Sequence, residues 1–118
     1  MGMDVYGKNG DYFRNNCWWW RPLWDYTASV CKDVITDKDH DSGHYNDGHL
    51  IDSEKCEFIV ERLESLLKGG SVKEYELEYQ KRLDSLDKDD FNSHYPFSEE
   101  NVKEFVKFVK DSGGFEIC

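Results

Sequence analysis

Histidines and carboxylates are the residues whose spacing offers chemistry in this chain, and they concentrate between Thr36 and His49. Three of the four histidines lie there, His40, His44 and His49, with His94 far downstream. Asp37, Asp39 and Asp41 imitate the first ligands of a calcium loop. The imitation then fails, because the turn glycine, Gly43, comes one place late and Gly48 stands where a bidentate Glu is needed. His40 and His44 would share one face of a helix, with His49 as a third ligand for zinc. Glycines on both sides disfavour the rigid helix that zinc-helix motifs use, so the expectation is no metal and no cofactor. For acid–base chemistry, His44, Tyr45, Asn46, Asp47 and His49 offer a base, an orienting amide and a carboxylate, with Arg21 as an anion clamp. No Gly-x-Ser-x-Gly, phosphate loop or dinucleotide fingerprint accompanies them, so no catalytic residue is assigned.

A second concentration is aromatic. All four tryptophans fall within the seven residues from Trp18 to Trp24, and rings of that size dominate the packing around them. Trp18, Trp19 and Trp20 are consecutive and cannot all point one way, so at least one is expected to line a groove or the surface. Beside Arg21, an exposed ring would stack a base, hold a cation or anchor a protein interface.

The elements that must position these residues follow from periodicity and punctuation. Residues 3–6 alternate like a half-buried strand, Asn9-Gly10 is a hairpin turn, and residues 11–14 form the returning arm. Pro22 suits a first helical turn, which places a helix over residues 22–35 with Leu23, Tyr26, Val30 and Val34 as its stripe. The polar stretch 37–49 reads as a loop, long enough to be functional. Helices are expected over 53–68, capped by Asp52 or Ser53, over 71–86, opened by a Ser71/Glu74 capping box, and over 98–111, capped by Ser98. Residues 115–117 alternate and are placed to pair with residues 3–6. The expected fold class is α+β, about four helices packed on a small sheet formed by the N- and C-terminal strands.

A chain of 118 residues, 38% hydrophobic and 15% aromatic, predicts a single globular domain spanning 1–118 with its own core. No apolar run suits a membrane span, and the N-terminal residues carry no basic, greasy leader, so a cytoplasmic protein is expected. Cys17, Cys31, Cys56 and Cys118 lie singly, which predicts free thiols, with Cys56 on an apolar helix face. The net charge of −10 repels a phosphate backbone and disfavours direct nucleic-acid binding.

Met1-Gly2-Met3-Asp4-Val5-Tyr6-Gly7, the run from Tyr12 through Trp18-Trp19-Trp20-Arg21-Pro22-Leu23 to Trp24, Gly43-His44-Tyr45-Asn46-Asp47-Gly48 and Tyr95-Pro96-Phe97-Ser98-Glu99-Glu100-Asn101-Val102 together resemble a family of small uncharacterised proteins from phages and bacteria. The likeness spans most of the chain. Family members can carry a Cys-x-x-Cys-x-Gly-x-Gly insertion after the third helix, where this sequence has only residues 87–93, so no zinc site carries over. The resemblance implies a phage or mobile-element origin, with the host cytoplasm as the place of action. Small acidic phage proteins often block a host nucleic-acid machine. By analogy, the leading expectation is a non-enzymatic, anti-CRISPR-like inhibitor with a protein partner, a basic nucleic-acid-binding protein, and no membrane role. Glu74, Glu78, Asp84, Asp87 and Asp90 would then imitate a row of phosphates. An ordinary solvated face, supported by Glu64–Lys68 and Glu78–Arg82 helix pairs, is the plainer account of the same carboxylates. The alternative function is an enzyme or small-ligand-binding domain that uses the tryptophan block and the His-rich loop 37–49.

Overall fold

Val5, Phe115 and Ile117 are fully buried on one face of an antiparallel sheet, and the helices close over that face. The computed structural model describes residues 2–45, 48–87, 89–90 and 95–118. Its four strands are β1 (Gly2–Gly7), β2 (Tyr12–Asn16), β3 (His49–Ile51) and β4 (Phe115–Ile117), in the order β2-β1-β4-β3. The register pairs Val5 with both Phe13 and Ile117, and Ile51 with Phe115, so alternate residues of all four strands enter the core. Tyr6, Tyr12 and Leu50 alternate outward and are exposed. The hairpin turns at Gly10, whose φ of 94° suits glycine. The expected pairing of the termini is present, with reciprocal bonds between Asp4 and Cys118 of 3.3 and 2.8 Å. Strand β3 was not expected from the sequence.

Among the described residues the five helices are α1 (Cys17–Val30), α2 (Asp37–Ser42), α3 (Ser53–Lys68), α4 (Ser71–Asp84) and α5 (Glu99–Ser112). The first begins five residues before Pro22, against the expectation of a start at that proline. Asn16 is the reason, since its side chain accepts a bond from the Trp19 N–H at 3.1 Å and caps the helix there. Pro22 therefore lies inside the helix, where the missing N–H removes one i→i−4 bond. The expected loop 37–49 is also corrected. Thr36 and Asp39 form a reciprocal capping box that nucleates α2, and His49 opens β3. The Ser71/Glu74 box, by contrast, is not formed. Gly70, at φ 84°, stands at the cap with no side-chain bond, and Leu86 lies beyond the helix end. Asp52 and Ser98 cap α3 and α5 as expected.

Trp20 and Trp24 stack at 5.5 Å and 10° in the centre of the core, with Phe105 edge-on to Trp20 and Phe115 edge-on to Trp24. Tyr26, Tyr75, Tyr79 and Phe97 make a second aromatic group that joins α1, α4 and the segment before α5. Cys56 is buried on α3 as expected, and all four cysteines are free thiols. Burial pushes the Cys31 thiol up to about 11. Among the described residues no helix is long and apolar enough to cross a membrane.

Candidate functional site

The tryptophans position the histidine segment. Trp20 and Trp24 are one turn apart on α1, and each buried indole N–H needs an acceptor. Trp24 Nε1 donates to the His40 carbonyl at 3.0 Å, and Trp20 Nε1 donates to the Gly43 carbonyl at 2.8 Å. The backbone of residues 40–43 is thus held against α1 at both ends. Gly43 must be glycine for space, because a Cβ there would lie 2.1 Å from Trp24 Nε1.

Asp25 follows Trp24 and turns outward. Its Oδ1 lies 2.7 Å from His40 Nε2 and 2.7 Å from His44 Nε2. The two imidazole centroids are 5.4 Å apart. Asp25 is half exposed, whereas the His44 side chain is only 15% exposed. Burial pushes the Asp25 carboxyl up, but hydrogen bonds from His44 and His40 outweigh it and hold the group below its ordinary value.

His49 does not join this cluster as the sequence-based ligand set expects. Its Nε2 meets Asp39 Oδ1 at 2.7 Å, and Lys55 Nζ reaches Asp39 Oδ2 at 2.5 Å. Burial raises the Asp39 carboxyl, yet bonds from Lys55, His49 and the Thr36 N–H bring it down to about 2. This part-buried cluster, centred on the buried Asp39, fastens α2 to β3 and α3. Tyr45 is exposed, and Asn46, Asp47 and His94 lie outside the described residues.

The tryptophan block divides by depth. Trp20 and Trp24 are core, while Trp18 and Trp19 are half-buried and line a shallow groove of about 520 Å³ with Asn16 and Pro96. Trp18 packs on Tyr95 at 4.8 Å, and the Arg21 guanidinium lies over the same ring at 5.8 Å. The expectation that one ring lines a groove is met by two. Of the acidic residues, Glu74, Glu78 and Asp84 are exposed on α4, Asp87 is exposed beyond it, and Asp90 is half-buried. The expected helix pairs are replaced. Glu64 meets Lys110 of α5 at 3.5 Å, and Arg82 lies over Tyr75 and Tyr79.

Asp25 and Lys55 are the residues that sequence reasoning missed, and Asp39 entered it only through the calcium-like series. A signal for Asp25 existed, because it and Arg21 are the only charged residues in α1. Another existed for Asp39, which stands three residues after Thr36 in capping-box spacing. Comparison with protein-family models, with curated proteins and with solved structures finds no match.

Proposed function

We propose that this chain is a small, acidic, non-enzymatic interaction protein that occupies the basic surface of a protein partner, in the manner of an anti-CRISPR-like inhibitor of a nucleic-acid-handling defence system. The observation that supports this reading most is the groove between α3 and α5. Its floor contains Cys56, Val60 and Val109, and Glu57, Glu61 and Glu64 rim it along one side with Lys110 opposite. An apolar floor with a row of carboxylates fits a basic segment that has an apolar ridge. Glu74, Glu78 and Asp84 continue the negative field on the neighbouring helix, and the net charge of −10 points the same way. The defence-system partner rests on the resemblance to phage proteins and on this charge.

The test is capture from host lysate followed by competition. A captured DNA- or RNA-binding protein should lose its nucleic acid when this chain is added. Association should weaken as salt brings the screening length to ~8 Å and below. The variant Glu57→Lys, Glu61→Lys, Glu64→Lys should bind at least about tenfold more weakly, roughly 1.4 kcal/mol. Unchanged binding by that variant, or a partner that keeps its nucleic acid, refutes the reading. The second reading, a ligand-binding domain, is favoured by one specific observation, the convergence of His40 and His44 on Asp25.

A further inference from the structure

The geometry points to a metal centre: Asp25, His40 and His44 bind one divalent transition-metal ion of borderline softness, zinc foremost. The site is separate from the acidic groove, and its test does not depend on any protein partner.

The donor set converges. One ligand atom from each of Asp25, His40 and His44 lies within 4.8 Å of the others, and both imidazoles aim Nε2 at Asp25 Oδ1. Zinc bonds of about 2.0–2.1 Å to nitrogen and oxygen set tetrahedral ligands ~3.3 Å apart. The contacts of 2.7 Å would therefore open by roughly half an ångström to admit the ion, a change within the reach of side-chain rotation. In the ion's absence each Nε2 must carry a proton to face the carboxylate. The metal takes the place of those protons and uses the lone pairs instead.

The scaffold holds the ligands before the ion arrives. His40 and His44 are four residues apart, and Trp24 and Trp20 grip the carbonyls of residues 40 and 43 between them. On the other side, Asp39 ties the same short helix to His49 and Lys55. Two separate anchors thus fix the backbone that bears both imidazoles, which is the precision a metal site requires.

A hydrogen-bonded staple between α1 and α2 is the competing account, and two features count against it. A half-exposed carboxylate can be solvated by water and does not need two imidazoles. Arg, Lys or Asn would donate at every pH, whereas a neutral imidazole donates at Nε2 in only one tautomer. Imidazole and carboxylate together suit zinc and its neighbours better than calcium or magnesium, which prefer all-oxygen sets. Three protein ligands leave a coordination position for water or an outside ligand. The Asp25 and His40 side chains are 50% and 39% exposed, so the ion can enter. His40 also lines a cavity of about 290 Å³ with Ser29, Lys32 and Asp37, which gives an outside ligand room beside the site.

The test is calorimetric titration of the whole chain with zinc and cobalt(II), with magnesium and calcium as controls. One zinc per chain is expected, at micromolar Kd or tighter, with no comparable uptake of magnesium or calcium. Asp25→Asn and His44→Gln should each weaken zinc at least about tenfold, while Cys118→Ser, which removes a thiol remote from these anchors, should leave it within about twofold. The His44→Gln amide can still donate to Asp25, which guards against loss of the fold. A readout free of substitutions is the nitrogen NMR spectrum of the imidazoles, in which the Nε2 signals of His40 and His44 should move on zinc addition and those of His49 should not. The proposal is overturned if zinc and cobalt fail to bind, if Asp25→Asn binds as tightly as the parent, or if the His40 and His44 nitrogens do not respond.

Discussion

Gly43 is the residue on which the histidine segment depends most sharply. Its φ of −66° is open to any residue, so the constraint is space, not conformation. A methyl group there would meet Trp24 Nε1 at 2.1 Å and Trp24 Cε2 at 2.5 Å, and Trp24 is too tightly packed in the core to retreat. Relief would come from lifting the turn off α1, which strands two indole N–H groups in a buried setting. Overpacking costs about 1–3 kcal/mol and each orphaned donor about as much again. Gly43→Ala should therefore destabilise the domain by at least ~2 kcal/mol, read as a fall in Tm of roughly 10 °C. A parent-like thermal melt would show that the turn is not held in the way described.

Helix starts decide which parts of the fold are readable at the level of elements. Helix α3 runs over the predicted residues 53–68 because Asp52, an unbroken apolar stripe and Gly69-Gly70 all agree. Disagreement between local signals explains the errors elsewhere. At α1, Pro22 suggests a later start, yet the Asn16 cap bond to Trp19 together with burial of Trp20 and Trp24 outweighs the one backbone bond that Pro22 removes. At α2, six polar residues carry no stripe at all, and the helix exists because a capping box and two indole donors hold it. No periodicity analysis reads such a helix. The histidine spacing is visible for the same segment, but its pairing with Asp25 is not, since Asp25 is brought there by tertiary packing. These helix starts are separable by mutation. Asn16→Ala should cost about 1 kcal/mol in urea denaturation, with an unchanged slope. Ser71→Ala should cost no more than a few tenths, because Gly70 stands at that cap and no side chain bonds to it. Equal losses from the two substitutions would contradict this assignment of the caps.

Acid response belongs to the molecule as a whole, where 25 Asp and Glu carboxylates set the charge and some are tied into the fold. Glu76 is one of the tied ones. It reaches from α4 to accept the Glu99 N–H at the start of α5 at 2.9 Å, and it pairs with Lys73 at 2.8 Å. The Lys73 hydrogen bond first, then that of the Glu99 N–H, holds its carboxyl below the ordinary value of 4.5. A carboxyl depressed in the folded state contributes stability that is fully present above the unfolded value and is lost as pH falls through the folded one. Thermal melts of the parent should therefore decline between about pH 5 and pH 3 more steeply than those of Glu76→Gln. Parallel declines would mean that the link between α4 and α5 adds nothing to acid stability. The field offered to a basic partner comes from other carboxylates, those exposed on α3 and α4, and does not depend on this group.

The stacked indoles give the chain a built-in optical reporter. Trp20 and Trp24 are parallel chromophores 5.5 Å apart, so their near-ultraviolet transitions couple, and their N–H groups are bound to the backbone that bears His40 and leads to His44. Whatever draws those imidazoles together also changes the electric field at two buried emitters. With Trp18 and Trp19 replaced by phenylalanine to silence the surface rings, emission colour and intensity would report on the histidine segment with no attached dye.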